Sequence, residues 1–331
     1  MRALPITRHG PPEVLQVQER PDPTPGRGQI LIDVRAAGIN FADLMARMGL
    51  YPDAPKPPCV VGYEVAGTVA AIGDGVDRFA VGDRVAAPVR FGGYAERAVT
   101  AADGAFPLPD AVSFEEGAAI PVNYATAWEA IVRGGNVQPG ERVLIHSAGG
   151  GVGIAATQLA KRAGAEVWGT ASPGKHEAIR GFGVDHPIDY TSPGWERGVP
   201  DLDLVMDAIG GASFKRSYQL LRAGGRLVCF GASGLVAGNE RNLLAAAKTA
   251  VQMPWFSIVR QMSASKAVLG LNVLTLWDEH GSSRWSEPLT EMIETGAIRP
   301  VVAKSFPLEQ GADAHRFIAE RRNTGKVVLV P

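Results

Sequence analysis

The stretch Val143 to Gly153, VLIHSAGGGVG, constrains the fold of this chain more than any other. An apolar strand runs straight into glycines and then into a helix that begins IAATQLAKRAG. That sequence aims unpaired backbone N–H groups and the positive helix end at one point, where a dinucleotide pyrophosphate can sit. The turn departs from G-x-G-x-x-G, because Ala148 takes the first glycine position while Gly150 and Gly153 fill the second and third. Gly150, Gly151, Val152 and Gly153 are the phosphate-binding candidates.

The second strand ends at Ser172, in Thr170-Ala-Ser172-Pro-Gly-Lys175. An NAD site places a carboxylate there, about twenty residues past the turn, for the ribose 2′-hydroxyl. Here Ser172 can hydrogen-bond a 2′-phosphate and Lys175 can neutralise it, so NADP(H) is the expected cofactor. The plain alternative is a solvated lysine at a helix start, but a cation there opposes the helix dipole. Tyr190, ending the third strand, can lie beside the same phosphate, although a half-buried strand tyrosine is the commoner case.

From Arg142 onward, strands alternate with helices, the pattern of a doubly wound parallel sheet. The expected strands are VLIHS, AEVWGTAS, HPIDY, LDLVMDAI, GRLVCFG and KAVLGLNV. Residues 1 to about 105 differ, with short β-branched runs punctuated by glycine turns, which read as a compact β-rich domain. One helix interrupts it, starting after Asn40 and stopped by Gly49, with Leu44, Met45 and Met48 on one face. Helices around Leu289–Glu294 and Gln310–Arg322 and the strand KVVLV are expected to complete that first domain. The boundaries are therefore 1–122 plus 275–331 for the β-rich domain and 123–274 for the dinucleotide domain. Between Gly231 and Lys266 lies a long apolar stretch with Trp255 and Phe256, flanked by Arg241, Lys248 and Arg260. Two packed helices are its expected form, ahead of a lid or a lipid-facing patch.

With 331 residues, two domains are ample, and a net charge of −1 provides no field to gather nucleic acid. The two cysteines, Cys59 and Cys229, form neither a disulfide framework nor a four-cysteine zinc lobe, and they suit a reducing cytoplasm. No apolar run approaches the about eighteen residues of a membrane span, so no integral membrane segment is expected. The six histidines show no metal-ligand spacing, and His146 reads as a satisfied buried histidine rather than a base. Ser147 and Ser233 lack the G-x-S-x-G pattern of a hydrolase.

With these pieces in place, the chain resembles the medium-chain dehydrogenase/reductase superfamily over essentially its whole length. The zinc alcohol dehydrogenases carry a cysteine in G-x-C-x-x-D, a Gly-His-Glu motif and a cysteine-rich lobe. This chain instead has Gly38-Ile-Asn40-Phe-Ala-Asp43 and Gly62-Tyr63-Glu64, with no lobe. With AGGGVG, these features are similar to the quinone oxidoreductase (zeta-crystallin) branch. GTASPGKHEAIRGFGVDHPIDY and NTGKVVLVP resemble the vesicle amine transport protein group within it.

The resemblance implies an α/β fold: a GroES-like β-rich catalytic domain and a Rossmann domain holding NADPH. It puts Asn40 and Tyr51 near nicotinamide and substrate, and Ser172, Lys175 and Tyr190 at the 2′-phosphate. Phe230 and the segment Leu269 to Asn272, with Leu269, Leu271 and Asn272 as named contacts, would line the nicotinamide end. Asn40 is also a good N-cap, with Asp43 at the third helical position, so capping alone would explain both. Tyr51, in a Gly-Leu-Tyr-Pro loop, could simply cover a core edge, and Met45 stands where the family has a tyrosine. No metal is expected. Without a Lewis acid, alcohol oxidation lacks its usual activation, whereas hydride delivery to a quinone or a conjugated enone or enal needs none. The rivals are a nicotinamide-binding protein that touches lipid, and an enoyl-thioester reductase. A homodimer paired through KAVLGLNV is the family expectation.

Overall fold

The computed structural model describes residues 1–236, 238–239 and 242–331. It forms two compact units: residues 1–123 with 238–239 and 274–331, and residues 124–236 with 242–273.

In the first unit, β1 (Gln29–Ile39) leads into α1 (Phe41–Met48), followed by β2 (Glu64–Ile72), β3 (Arg84–Pro88), β4 (Arg97–Ala101) and β5 (Phe106–Pro107). β1 is the hub, pairing antiparallel with both β2 and β4. α1 buries Leu44, Met45 and Met48 and stops at Gly49, whose φ of 69° is a left-handed conformation that suits glycine. The short α2 (Phe114–Gly117) is fixed by a reciprocal cap: Ser113 Oγ accepts the Glu116 N–H at 3.2 Å, and the Glu116 carboxylate accepts the Ser113 N–H at 2.8 Å. α3 (Pro121–Trp128) then spans the sequence boundary.

The second unit contains β6 (Arg142–Ile145), α4 (Gly151–Arg162), β7 (Glu166–Ala171), α5 (His176–Gly181), β8 (His186–Asp189), β9 (Leu202–Asp207), α6 (Ala212–Gln219), β10 (Leu221–Cys229), α7 (Leu243–Val251), α8 (Ile258–Ala264) and β11 (Ala267–Gly270). Its six strands are parallel in the order β8-β7-β6-β9-β10-β11. That is the order of dinucleotide-binding folds, and the direction of winding reverses at β6, whose carboxyl end is where such folds bind their ligands. Val143, Leu144, Ile145, Leu204, Val205 and Met206 are fully buried, as strands covered on both faces must be.

All six expected strands are present, with two differences around the last of them. KAVLGLNV does not stay extended to Val273. β11 is an edge strand whose only neighbour among the described residues, β10, ends at Cys229 opposite Gly270, so the ladder stops there and α9 (Val273–His280) begins. The stretch before it does form two helices, packed in part: Ala246 is buried, Thr249 Oγ1 donates to the Gly234 carbonyl at 2.9 Å, and Phe256 packs on Tyr218 with ring centroids 5.2 Å apart. The rest of the stretch faces outward, with Leu244, Val251 and Trp255 86%, 86% and 93% exposed. Arg241, one of the expected basic flanks, lies outside the described residues.

The tail returns to the first unit as α10 (Ser283–Glu294), β12 (Val302–Pro307), α11 (Gly311–Ala319) and β13 (Lys326–Val330). β13 pairs antiparallel with β1, placing Val327 opposite Ile39, and β12 runs parallel to β13. This register brings Lys326 beside Asn40. The core beneath holds Ile30, Ile32, Leu44, Val65, Val85 and Leu329.

Candidate functional site

The glycine turn is built for close approach. The Gly150 N–H donates to the Ser147 carbonyl at 2.9 Å, the Ala148 N–H donates to the Thr170 carbonyl at 3.0 Å, and α4 starts directly after Gly150. A Cβ on Gly153 would lie 2.4 Å from the Ser147 oxygen, so only glycine fits. The first-turn N–H groups of α4 have no acceptor within the helix, which fits a pyrophosphate. Gly153→Ala is expected to destabilise the second unit by about 1–3 kcal/mol through this clash, measured as a lower denaturation midpoint; an unchanged midpoint would contradict the packing.

Beneath the turn, His146 is buried, and its Nδ1 and Nε2 lie 3.1 Å from Thr170 Oγ1 and Ser217 Oγ. The Ser217 hydroxyl donates to Asp207 at 2.7 Å, so Nε2 carries the proton and donates to Ser217, while Nδ1 accepts from Thr170. Burial pushes the imidazole below its usual pKa. The ring ties strand ends together.

Ser172 and Tyr190 immediately follow Ala171 and Asp189, which are register partners on β7 and β8. Lys175 closes the short helical turn Pro173–Lys175, with its N–H on the Ser172 carbonyl at 2.9 Å. Phe230 and Leu271 likewise follow the paired Cys229 and Gly270, and the Leu271 N–H donates to the Cys229 carbonyl at 2.8 Å. Leu269 leans on Gly134, where a Cβ would approach its Cδ2 within contact distance, and Asn272 is exposed.

In the first unit, Asn40 precedes α1 but does not cap it with its side chain. Its backbone N–H donates to Asp43 at 2.7 Å, while its amide nitrogen donates to Glu64 at 3.0 Å and its amide oxygen accepts from Lys326 at 2.7 Å. Lys326 and Glu64 form an ion pair with side chains 3% and 0% exposed. The Lys326 ammonium also reaches Asn123 Oδ1 at 3.4 Å, and the second Glu64 oxygen accepts the Val122 N–H at 2.8 Å. Gly38 makes room for this cluster, since a Cβ there would lie 2.4 Å from the Ala118 oxygen and 2.7 Å from the Glu64 carboxylate.

A second buried chain supports α1. Asp43 accepts from Tyr94 Oη at 2.9 Å and from the Gly62 N–H at 3.1 Å, and Tyr94 Oη lies 3.4 Å from His315 Nε2. Arg47 Nε donates to His315 Nδ1 at 3.3 Å, so Nε2 carries the imidazole proton. Burial pushes Asp43 up to about 7, partly offset by the N–H and O–H groups that donate to it. Burial and the Arg47 charge hold His315 well below its usual 6.5. A depressed histidine contributes stability above its unfolded pKa and loses it as pH falls. The His315 contribution is therefore expected to be lost below about pH 6.5, while the raised Asp43 carboxyl acts in the opposite direction over the same range, so in a series of denaturant melts His315→Gln should gain stability relative to the parent as pH falls below about 6.5.

Tyr51 sits half-buried in its loop, edge-on to Tyr63 with ring centroids 6.2 Å apart, and Tyr63 packs on Phe91 at 5.0 Å. The Tyr63 hydroxyl is buried without a hydrogen-bond partner among the described residues. Burial and the nearby carboxylates of Asp53 and Asp43 push the Tyr51 phenol up, keeping it a neutral donor. The sequence reading missed Tyr63, Glu64 and Lys326 as members of this cluster. Only the Gly-Tyr-Glu and Gly-Lys-Val motifs hinted at them.

These residues do not fit a zinc ion. Asn40 and Tyr63 supply an amide and a phenol rather than the thiolate and imidazole that zinc prefers, and an ammonium group already occupies the amide oxygen of Asn40. Among the described residues, no group of three or more His, Cys, Asp or Glu side chains is placed to hold a metal.

Comparison with known proteins agrees with this architecture. A family model described as "Alcohol dehydrogenase GroES-like domain" matches residues 26–110, and one described as "Zinc-binding dehydrogenase" matches residues 182–329. The synaptic vesicle membrane protein VAT-1 homolog of Rattus norvegicus is 39% identical over 340 residues, covering 100% of this chain and 84% of the relative. The Escherichia coli quinone oxidoreductase complexed with NADPH superposes with a TM-score of 0.87 at 29% identity, covering 100% of both chains. CurK enoyl reductase gives a TM-score of 0.87 at 26% identity over 99% of this chain and 98% of that one. No helix of the described residues is long and apolar enough to cross a membrane.

Proposed function

The chain belongs to the medium-chain dehydrogenase/reductase superfamily as a VAT-1/quinone-oxidoreductase-like oxidoreductase, and from that premise we propose that it uses NADPH to reduce quinones or conjugated enones and enals without a metal ion. The observation that carries this reading is Asn40: a hydrogen-bonding amide, braced by Lys326 and Glu64, stands where a metal thiolate would be. Such a site offers N–H and O–H donors rather than a Lewis acid, which suits an acceptor that is already electron-poor.

In this reading, Gly150, Gly151, Val152 and Gly153 hold the pyrophosphate. Ser172, Lys175 and Tyr190 hold the 2′-phosphate, with no carboxylate at the end of β7 to repel it. Phe230, Leu269, Leu271 and Asn272 bound the nicotinamide end. When bound, NADPH supplies the hydride to the electron-poor carbon of the acceptor. Asn40 and Tyr51 donate hydrogen bonds to the oxygen on which negative charge builds. With an enone and NADPH deuterated at the transferring position, the saturated product should carry one deuterium at its β-carbon. Unlabelled product would overturn the hydride route.

The same reading places the protein in the cytoplasm as a homodimer. β11 supports the dimer, because Leu269 and Gly270 are exposed on a sheet edge with no strand beyond it among the described residues. Gel filtration should give the mass of two chains, and a monomer would contradict the edge pairing.

A second reading draws on the exposed apolar residues of α7, α8 and the segment between them, which include Leu244, Trp255, Ile258 and Met262. Such a face suits contact with a vesicle surface. In flotation with anionic liposomes, protein that stays wholly in the soluble fraction would exclude it.

A further inference from the structure

We propose that the buried Lys326–Glu64 pair positions Asn40 by fixing which way its carboxamide faces, so that the amide presents an N–H to its ligand. The proposal rests on the functional reading above for the ligand's identity, but its geometry stands on this cluster alone. An asparagine amide has an oxygen that only accepts and a nitrogen that only donates, and nothing in its shape distinguishes the two. The flanking charges do. The ammonium of Lys326 can only donate, so the group 2.7 Å from it is the amide oxygen. The carboxylate of Glu64 can only accept, so the group 3.0 Å from it is the amide nitrogen. The flipped amide would set N–H against ammonium and oxygen against carboxylate.

The two charges are themselves held. The three hydrogens of the Lys326 ammonium meet Glu64, Asn40 and Asn123, and the Glu64 carboxylate accepts from Lys326, Asn40 and the Val122 N–H. A buried ion pair is often no more stable than apolar residues of the same volume, so its use lies in the orientation it imposes. One hydrogen of the Asn40 nitrogen goes to Glu64. The second has no partner among the described residues, on a side chain that is only half-buried. That second hydrogen is the donor that Lys326 and Glu64 aim. Both are positioning residues acting through Asn40.

Two measurements test this. In protein labelled with 15N-asparagine, with the Asn40 side-chain signals assigned by their loss in Asn40→Ala, one Asn40 amide hydrogen should exchange with solvent at least about ten-fold more slowly than the other. Equal, fast exchange of both would overturn the proposal whether or not any acceptor is turned over. The second measurement uses Glu64→Gln combined with Lys326→Met, which removes both charges together and leaves no lone buried ion. Its kcat/KM for a quinone should fall about ten- to hundred-fold with the KM for NADPH unchanged. Asn40→Ala should then cost much less in that background than in the wild type. Equal cost of Asn40→Ala in both backgrounds would overturn the positioning role. A wild type with the slow amide hydrogen but no quinone or enone turnover would overturn the functional reading and leave the orientation supported.

Discussion

Lys326→Met alone is expected to destabilise the first unit by about 3–5 kcal/mol, because it strands the Glu64 carboxylate in a fully buried position. The remaining donors, the Asn40 amide and the Val122 N–H, are too few to replace water around a full negative charge. Adding Glu64→Gln removes that charge and should restore most of the loss, a coupling that chemical denaturation of the two variants would measure. A single variant as stable as the parent would mean that the pair is not buried in solution.

Lys175→Ala is expected to raise the KM for NADPH about ten- to hundred-fold, the worth of one charge-assisted contact to phosphate. The KM for NADH, which lacks that phosphate, should stay within about two-fold. Initial rates with each cofactor at saturating acceptor give both values. An equal rise for the two would remove the 2′-phosphate assignment and leave Lys175 a structural residue at the start of α5.

The fold was legible where local sequence decides the structure. The β-branched runs of the second unit are buried on both faces and read as strands from their composition, and the glycine turn announced the strand–helix junction. Gly49 marked a helix end through its left-handed conformation, which is a local effect. The bracing of Asn40 was not legible. Its partners come from residues 64, 123 and 326, and only the pairing of β13 with β1 brings Lys326 alongside. In the sequence, Asn40 followed by Asp43 is a capping pattern, and half of it does form through Asp43. The side chain of Asn40 is used elsewhere. The strand expected over KAVLGLNV runs past the end of the ladder at Gly270, because where it stops is decided by where β10 ends, which no local signal reports.

The most direct test of metal-free, NADPH-dependent reduction is NADPH consumption under anaerobic conditions with an ortho-quinone, a conjugated enone and a saturated ketone, with NADH in parallel and a chelator present. Turnover of the quinone or the enone but not the ketone, favouring NADPH and unaffected by the chelator, is the predicted result. Loss of activity on chelation, preference for NADH, or no turnover of either conjugated acceptor would contradict it.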